Sequence, residues 1–236
     1  MKQLLIAAFF AATAFISQAQ DMVVFQSNMR SKAANQFYEE EFRTVGTYKV
    51  KGNSYLLKGN NVSDIYTTLG FGVNIGVVFD TYNQQVAVMQ EDKKSVVNLS
   101  FQELDSFYMK IDNDNKVKGP VMFRNMTKID PSMEYYMQEL VNGGKYKLYK
   151  SYYAEMFNAS NNIAQTNLKE FEIKSDFYFV DYTTGGERKV VKIKSNLKSL
   201  KEYFKNNPAA LKILSDYPSK NLEEKLTVLF ETVNVV

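Results

Sequence analysis

Apolar and polar positions alternate most clearly between Phe171 and Phe179. Phe171, Ile173, Phe177 and Phe179 fall on one side of an extended chain, and Glu172, Lys174, Asp176 and Tyr178 on the other, the period of a strand with two unlike faces. Thr183-Thr184-Gly185-Gly186 interrupts the pattern and predicts a reversal, because glycine takes positive φ without strain. Lys189 to Lys194 reads as the return strand. After Ser195-Asn196 the period becomes helical, with Leu197, Leu200, Tyr203 and Phe204 on one side.

The same grammar of short alternating runs and turn residues extends upstream. Thr44 to Val50, a turn at Lys51-Gly52-Asn53, and Ser54 to Lys58 read as strand, turn, strand. Gly59-Asn60-Asn61 is a further turn. Gly70, Gly72 and Gly76 predict a bulge or bend in the following strand, which runs to Asp80. Tyr82-Asn83-Gln84 leads into Val86 to Met89, and Glu91 to Lys94 into Val96 to Leu99. Phe107 to Ile111 and Val117 to Arg124 flank a turn at Asp112 to Asn115. Reversals every ~8–15 residues suit an antiparallel meander. Met133 to Leu140 fits a strand or a short helix. Gly143-Gly144 turns the chain into a strand with Tyr146, Leu148 and Tyr152 on one face. The polar, Asn-rich stretch Ala154 to Leu168 reads as a long loop. Residues 21–43 fit either a short helix or a strand.

The C-terminal segment is helical. Pro208 after Asn207 suits a first helical position, Leu211 and Leu214 face inward, and Pro218 ends that piece. Asn221-Leu222-Glu223-Glu224 opens a last helix with acids in its first turn and a stripe of Leu222, Leu226, Leu229, Phe230 and Val233. The expected fold is mainly β (α+β): an antiparallel curled sheet or partial barrel over residues 20–195, with a small helical C-terminal tail, 196–236, packed on it. A closing strand and a continuous outward apolar band, the marks of an outer-membrane barrel, are missing.

Residues 1–19 stand apart. Lys2 precedes an apolar run from Leu4 to Ile16 and the small residues Ser17-Gln18-Ala19, the pattern of a signal peptide cleaved between Ala19 and Gln20. The run is shorter than the ~20 residues of a membrane span, and no other run approaches that length. An exported chain without cysteine must rely on core burial alone, and has no residue for a lipid-anchored start. The formal net charge is +3, one unit of it from Lys2. So small an excess does not point to nucleic acid or an anionic membrane. The expected location is the periplasm, the outer-membrane surface or the extracellular space.

Several local features recur in a known group. Gly52-Asn53-Ser54-Tyr55, a strand ending Asp80-Thr81-Tyr82-Asn83, and Leu140-Val141-Asn142-Gly143 before a basic aromatic strand are followed by a Phe-Tyr strand and a Lys-rich three-helix tail. Over most of its length the chain resembles uncharacterised secreted proteins of Bacteroidota, with Thr81 where that group is expected to carry arginine. The resemblance implies export to the cell envelope and no particular activity.

Composition removes several chemistries. With no His and no Cys, Ser–His–Asp and Cys–His arrangements and the usual zinc ligands are excluded. Gly70-Phe71-Gly72 lacks the third glycine of a dinucleotide loop, and neither a Walker loop nor Gly-x-Ser-x-Gly occurs. Asp112 to Asn115 fails as a calcium loop, because Val117 stands at the glycine position and Phe123 at the glutamate position. No cofactor and no metal are expected. A carboxylate pair for glycoside hydrolysis would have to come from Glu39 to Glu41, Glu134, Asp176 and Asp181, whose spacing selects no pair.

Two basic tracts remain. Lys145-Tyr146-Lys147-Leu148-Tyr149-Lys150 interleaves base and ring, and reads as an amphipathic strand with its lysines in water. Arg188, Lys189, Lys192, Lys194, Lys198, Lys201 and Lys205 form the second tract, a solvated face open to anionic lipid or polysaccharide. The favoured expectation is an exported envelope protein without catalytic activity that binds a partner, polymer or surface. The alternatives are a carrier of an apolar molecule or lipid on Tyr146, Leu148, Phe177 and Phe179, and a carboxylate-pair hydrolase.

Overall fold

The computed structural model describes residues 42–57, 61–89, 96–111, 117–159, 168–183, 185, 188–218 and 221–235. The cleavage point Ala19–Gln20, the acids Glu39 to Glu41 and the turns expected at Glu91 to Lys94 and Asp112 to Asn115 lie outside these residues, as do Gly59 and Asn60. The described chain is mainly β. Its strands are β1 Phe42–Val45, β2 Tyr48–Lys51, β3 Asn61–Thr67, β4 Gly70–Asp80, β5 Gln85–Met89, β6 Val96–Leu99, β7 Leu104–Met109, β8 Val121–Asn125, β9 Tyr136–Asn142, β10 Tyr146–Asn158, β11 Leu168–Asp181 and β12 Lys189–Ile193. Helices α1 Lys198–Tyr203, α2 Pro208–Asp216 and α3 Leu222–Val235 follow. Among the described residues no helix is long and apolar enough to cross a membrane.

All strands join one sheet in the order β1-β2-β11-β10-β9-β8-β7-β3-β4-β5-β6, with β12 also on β11. The sheet is mixed rather than purely antiparallel, because β2 lies parallel to the start of β11. It curls without closing. The β4–β5 corner reaches across to β10: Ala154 N–H donates to the Thr81 carbonyl at 3.2 Å. Gln84 Nε2 donates to the carbonyls of Thr81 (2.9 Å) and Tyr152 (2.7 Å), and its Oε1 accepts from Tyr136 N–H at 3.3 Å.

One sheet face carries two clusters. Leu148 and Tyr152, four residues apart on β10, share that face. Tyr152 joins the interior of the curl with Phe79, Phe107, Phe123 and Tyr136, where Phe107 and Phe123 stack at 4.8 Å. Leu148 joins Phe179, Ile193 and the helical residues Leu200, Phe204, Leu226, Leu229 and Phe230. Tyr149 points to the opposite face with Met126, Met137 and Val180.

Three expectations need correction. A reversal at Gly46 (φ +58°) precedes the expected bend at residues 51–53, where Gly52 has φ +74°, so Thr44 to Val50 is divided between two strands. Ser54 to Leu57 forms no strand, only a bridge from Tyr55 to Asp80. Leu56 and Leu57 are both buried there, so neighbouring residues plug the curl instead of alternating. The expected loop from Ala154 begins instead as strand, since β10 continues to Asn158 and pairs with β11 as far as Lys169; residues 160–167 of that stretch lie outside the described residues. The stretch 133–140 resolves as strand from Tyr136.

The tail sits on the β9–β10 hairpin through its last turn. Asn234 Oδ1 accepts the N–H groups of Lys145 and Tyr146, both at 2.9 Å, and its Nδ2 donates to the Tyr146 carbonyl at 2.9 Å. A Cβ on Gly143 would come within 2.0 Å of the Asn234 side chain, so any larger residue there has to displace Asn234 from these hydrogen bonds.

Candidate functional site

The β12–α1 corner brings the second basic tract together. Strand β12 ends at Ile193, which is buried, and the chain turns through Leu197 at φ +53°. The turn is closed by Leu197 N–H on the Lys194 carbonyl (3.0 Å) and by Asn196 Oδ1 accepting Lys198 N–H (3.2 Å). It sets the end of β12 beside the start of α1. Between them lies a surface groove of about 490 Å³ lined by Lys194, Asn196, Lys198, Ser199, Lys201 and Glu202.

Burial and hydrogen bonds anchor α1 beside the groove. Leu200 of α1 and Phe204 just after its end are buried in the second cluster. Tyr203 donates its hydroxyl to Asp181 Oδ2, and Asp181 Oδ1 accepts from the backbone and hydroxyl of Thr183, both at 2.7 Å. Burial alone would raise the Asp181 carboxyl, but the Tyr203 and Thr183 hydrogen bonds and nearby Lys189 bring it below the usual aspartate value. The Tyr203 hydroxyl is pushed well above the usual tyrosine range by burial and by that carboxylate.

Charge within the groove is uneven. Glu202, the one acid in the lining, accepts from Lys205 Nζ at 2.9 Å in an exposed i,i+3 pair. Lys201 Nζ lies 3.4 Å from the Ser215 hydroxyl, a neutral group. Lys194 and Lys198 are exposed and have no carboxylate partner among the described residues. Lys192, also in the tract, is held by Asp176 at 2.5 Å, and Arg188 lies over the Tyr182 ring at 5.3 Å.

The first tract is different. Lys150 was expected to face water, but its side chain is only 12% exposed and pairs with Glu223 of α3 at 2.6 Å. The Tyr152 ring lies 4.9 Å away. Lys147 lies over the Tyr182 ring at 5.6 Å, and Tyr149 is buried.

The four residues considered for an apolar ligand do meet. Tyr146, Leu148, Phe177 and Phe179 belong to the cluster beneath the helices, with Phe179 5.2 Å from the Phe230 ring and Tyr146 5.4 Å from that of Phe204. The protein's own tail occupies the surface that they form. Of the candidate acids, Asp176 is paired with Lys192, Asp181 is bound by Tyr203 and Thr183, and Glu134 is exposed. Inside the curl, the buried Tyr136 hydroxyl has no hydrogen-bond partner among the described residues.

Sequence reasoning missed Gln84 and Asn234, which bridge elements 68 and 88 residues apart. No local signal marks a polar residue whose partners are so distant. No family model, curated protein or solved structure matches the chain.

Proposed function

We propose that the protein is exported to the bacterial cell envelope and acts there by binding a partner, polymer or surface rather than by turning over a substrate. The N-terminal pattern from Lys2 to Ala19 supports export. The observation that carries the binding role is the groove at the β12–α1 corner, where Lys194 and Lys198 have no acidic partner among the described residues while Asp176, Asp181 and Glu223 are engaged. Free ammonium groups around a concavity favour an anionic partner.

Two measurements test this reading. Protein recovered from producing cells should begin at Gln20, and purified protein should sediment with isolated envelope fractions in a salt-sensitive manner. Steady turnover of a defined glycosidic or ester substrate would overturn it. The carrier alternative requires the tail to lift from Leu148 and Phe179, and a stoichiometric apolar ligand in native mass spectra of protein from its own host would favour it.

A further inference from the structure

We infer that the β12–α1 groove is a site for a linear anionic polysaccharide, a chain carrying carboxylate or sulfate groups; this rests on the binding role proposed above. The lining is three lysines, Lys194, Lys198 and Lys201, against one acid, Glu202, which Lys205 pairs from outside the groove, with the neutral hydrogen-bonding groups of Asn196 and Ser199.

The lysines speak for a polymer rather than a small anion. All three are exposed, and one solvated ammonium gains little from one oxyanion. A chain that meets several of them adds those small gains while losing translational freedom only once. Lysine also acts as a point charge and imposes no planar two-point fit, unlike arginine. The groove therefore reads charge density along a chain and tolerates carboxylate or sulfate.

The same lining argues against the other large anions. Single-stranded nucleic acid needs rings for base stacking, and no aromatic residue lines the groove. A bilayer surface needs apolar side chains beside the bases, and the groove is concave with none. The groove is open to solvent, so an extended chain can lie along it without entering an enclosed pocket.

The test uses the whole protein with polygalacturonate and dextran sulfate as probes, dextran as the neutral control, and phosphatidylglycerol vesicles as the lipid arm. Both charged polymers should bind, and dextran and vesicles should not. The triple variant Lys194→Gln/Lys198→Gln/Lys201→Gln should bind about ten- to a hundredfold more weakly with an unchanged melting temperature, whereas Lys150→Gln should bind like the parent. Polymer binding that survives the triple substitution, or vesicle binding without polymer binding, overturns the inference. Retention on envelope fractions without retention of either polymer overturns it too, yet leaves the broader binding role standing. Loss of envelope retention in the parent protein would remove that role as well.

Discussion

The two basic tracts look alike on paper and behave differently in the fold. Tyr146 to Lys150 lies on β10: Lys150 is drawn into a pair with Glu223 under the tail, Lys147 lies over a tyrosine ring on the opposite face, and Lys145 stays exposed before the strand. Lys194 to Lys201 lies where the sheet ends and the tail begins, and there Lys194 and Lys198 keep their charge unanswered among the described residues. The difference comes from what packs over each tract. Helix α3 carries Glu223 onto the first, while α1 and the residue just after its end turn Leu200 and Phe204 inward and leave the lysines outside. The first tract is thus part of what holds the tail, and the second is what the tail displays.

Loosening the tail is the strongest way to break that contrast. Phe230→Ala empties a fully buried ring site in the second cluster, and should cost about 3–5 kcal/mol in denaturant unfolding. A cost below 1 kcal/mol would mean the tail is not packed as described. Gly143→Ala forces a Cβ into Asn234, and should cost about 1–3 kcal/mol. Asn234→Ala in the same chain should relieve part of the clash, so the two effects should not add.

Lys150→Met keeps the apolar stem but leaves Glu223 without its partner. Because Glu223 is 36% exposed, water takes over part of the role, and the loss should be about 1–2 kcal/mol. Lys198→Gln in the second tract should change stability by less than about 0.5 kcal/mol. Equal losses for the two substitutions would erase the distinction between the tracts.

The last effect concerns pH. The Asp181 carboxyl is held below its usual value in the folded protein. Its contribution is therefore complete above the unfolded aspartate value of about 4, and is lost as pH falls through the lower folded value. The Tyr203 hydroxyl is shifted upward, so its contribution is complete below about 10 and fades as pH rises further. The anchor of α1 should be intact between these limits. Tyr203→Phe should lower stability inside that window by about 1 kcal/mol and soften both flanks in melting scans.

Much of the fold was legible where the two faces of a strand meet different surroundings. On β11, Phe177 and Phe179 face the helices while Asp176 and Tyr178 face away, and the alternation exposed the strand and its return at once. The helices were plain in outline, since Pro208 begins α2 and the Leu226–Phe230–Val233 stripe of α3 is buried, but α2 turns Ala210 inward with Leu214 rather than Leu211, and Leu197 precedes α1 in a left-handed conformation. Legibility failed where both faces are wet or both are buried. Beyond Ala154 burial along β10 gives way to exposure and alternation fades, so the end of a strand passed for a loop. At Leu56-Leu57 both residues are buried, so a plug passed for a strand. The lysines of the groove were in view from the start, but their freedom was not, because it depends on where Asp176, Glu202 and Glu223 come to lie.

The most direct test of the contrast is the salt dependence of polygalacturonate affinity in the parent, the Lys150→Gln variant and the triple Lys194/Lys198/Lys201→Gln variant. If about three ammonium groups displace counterions, the logarithmic slope should be about −2 to −3 in the parent. It should be unchanged by Lys150→Gln and close to zero in the triple variant. A parent slope near zero, or a slope that falls with Lys150→Gln and survives the triple substitution, would contradict the account.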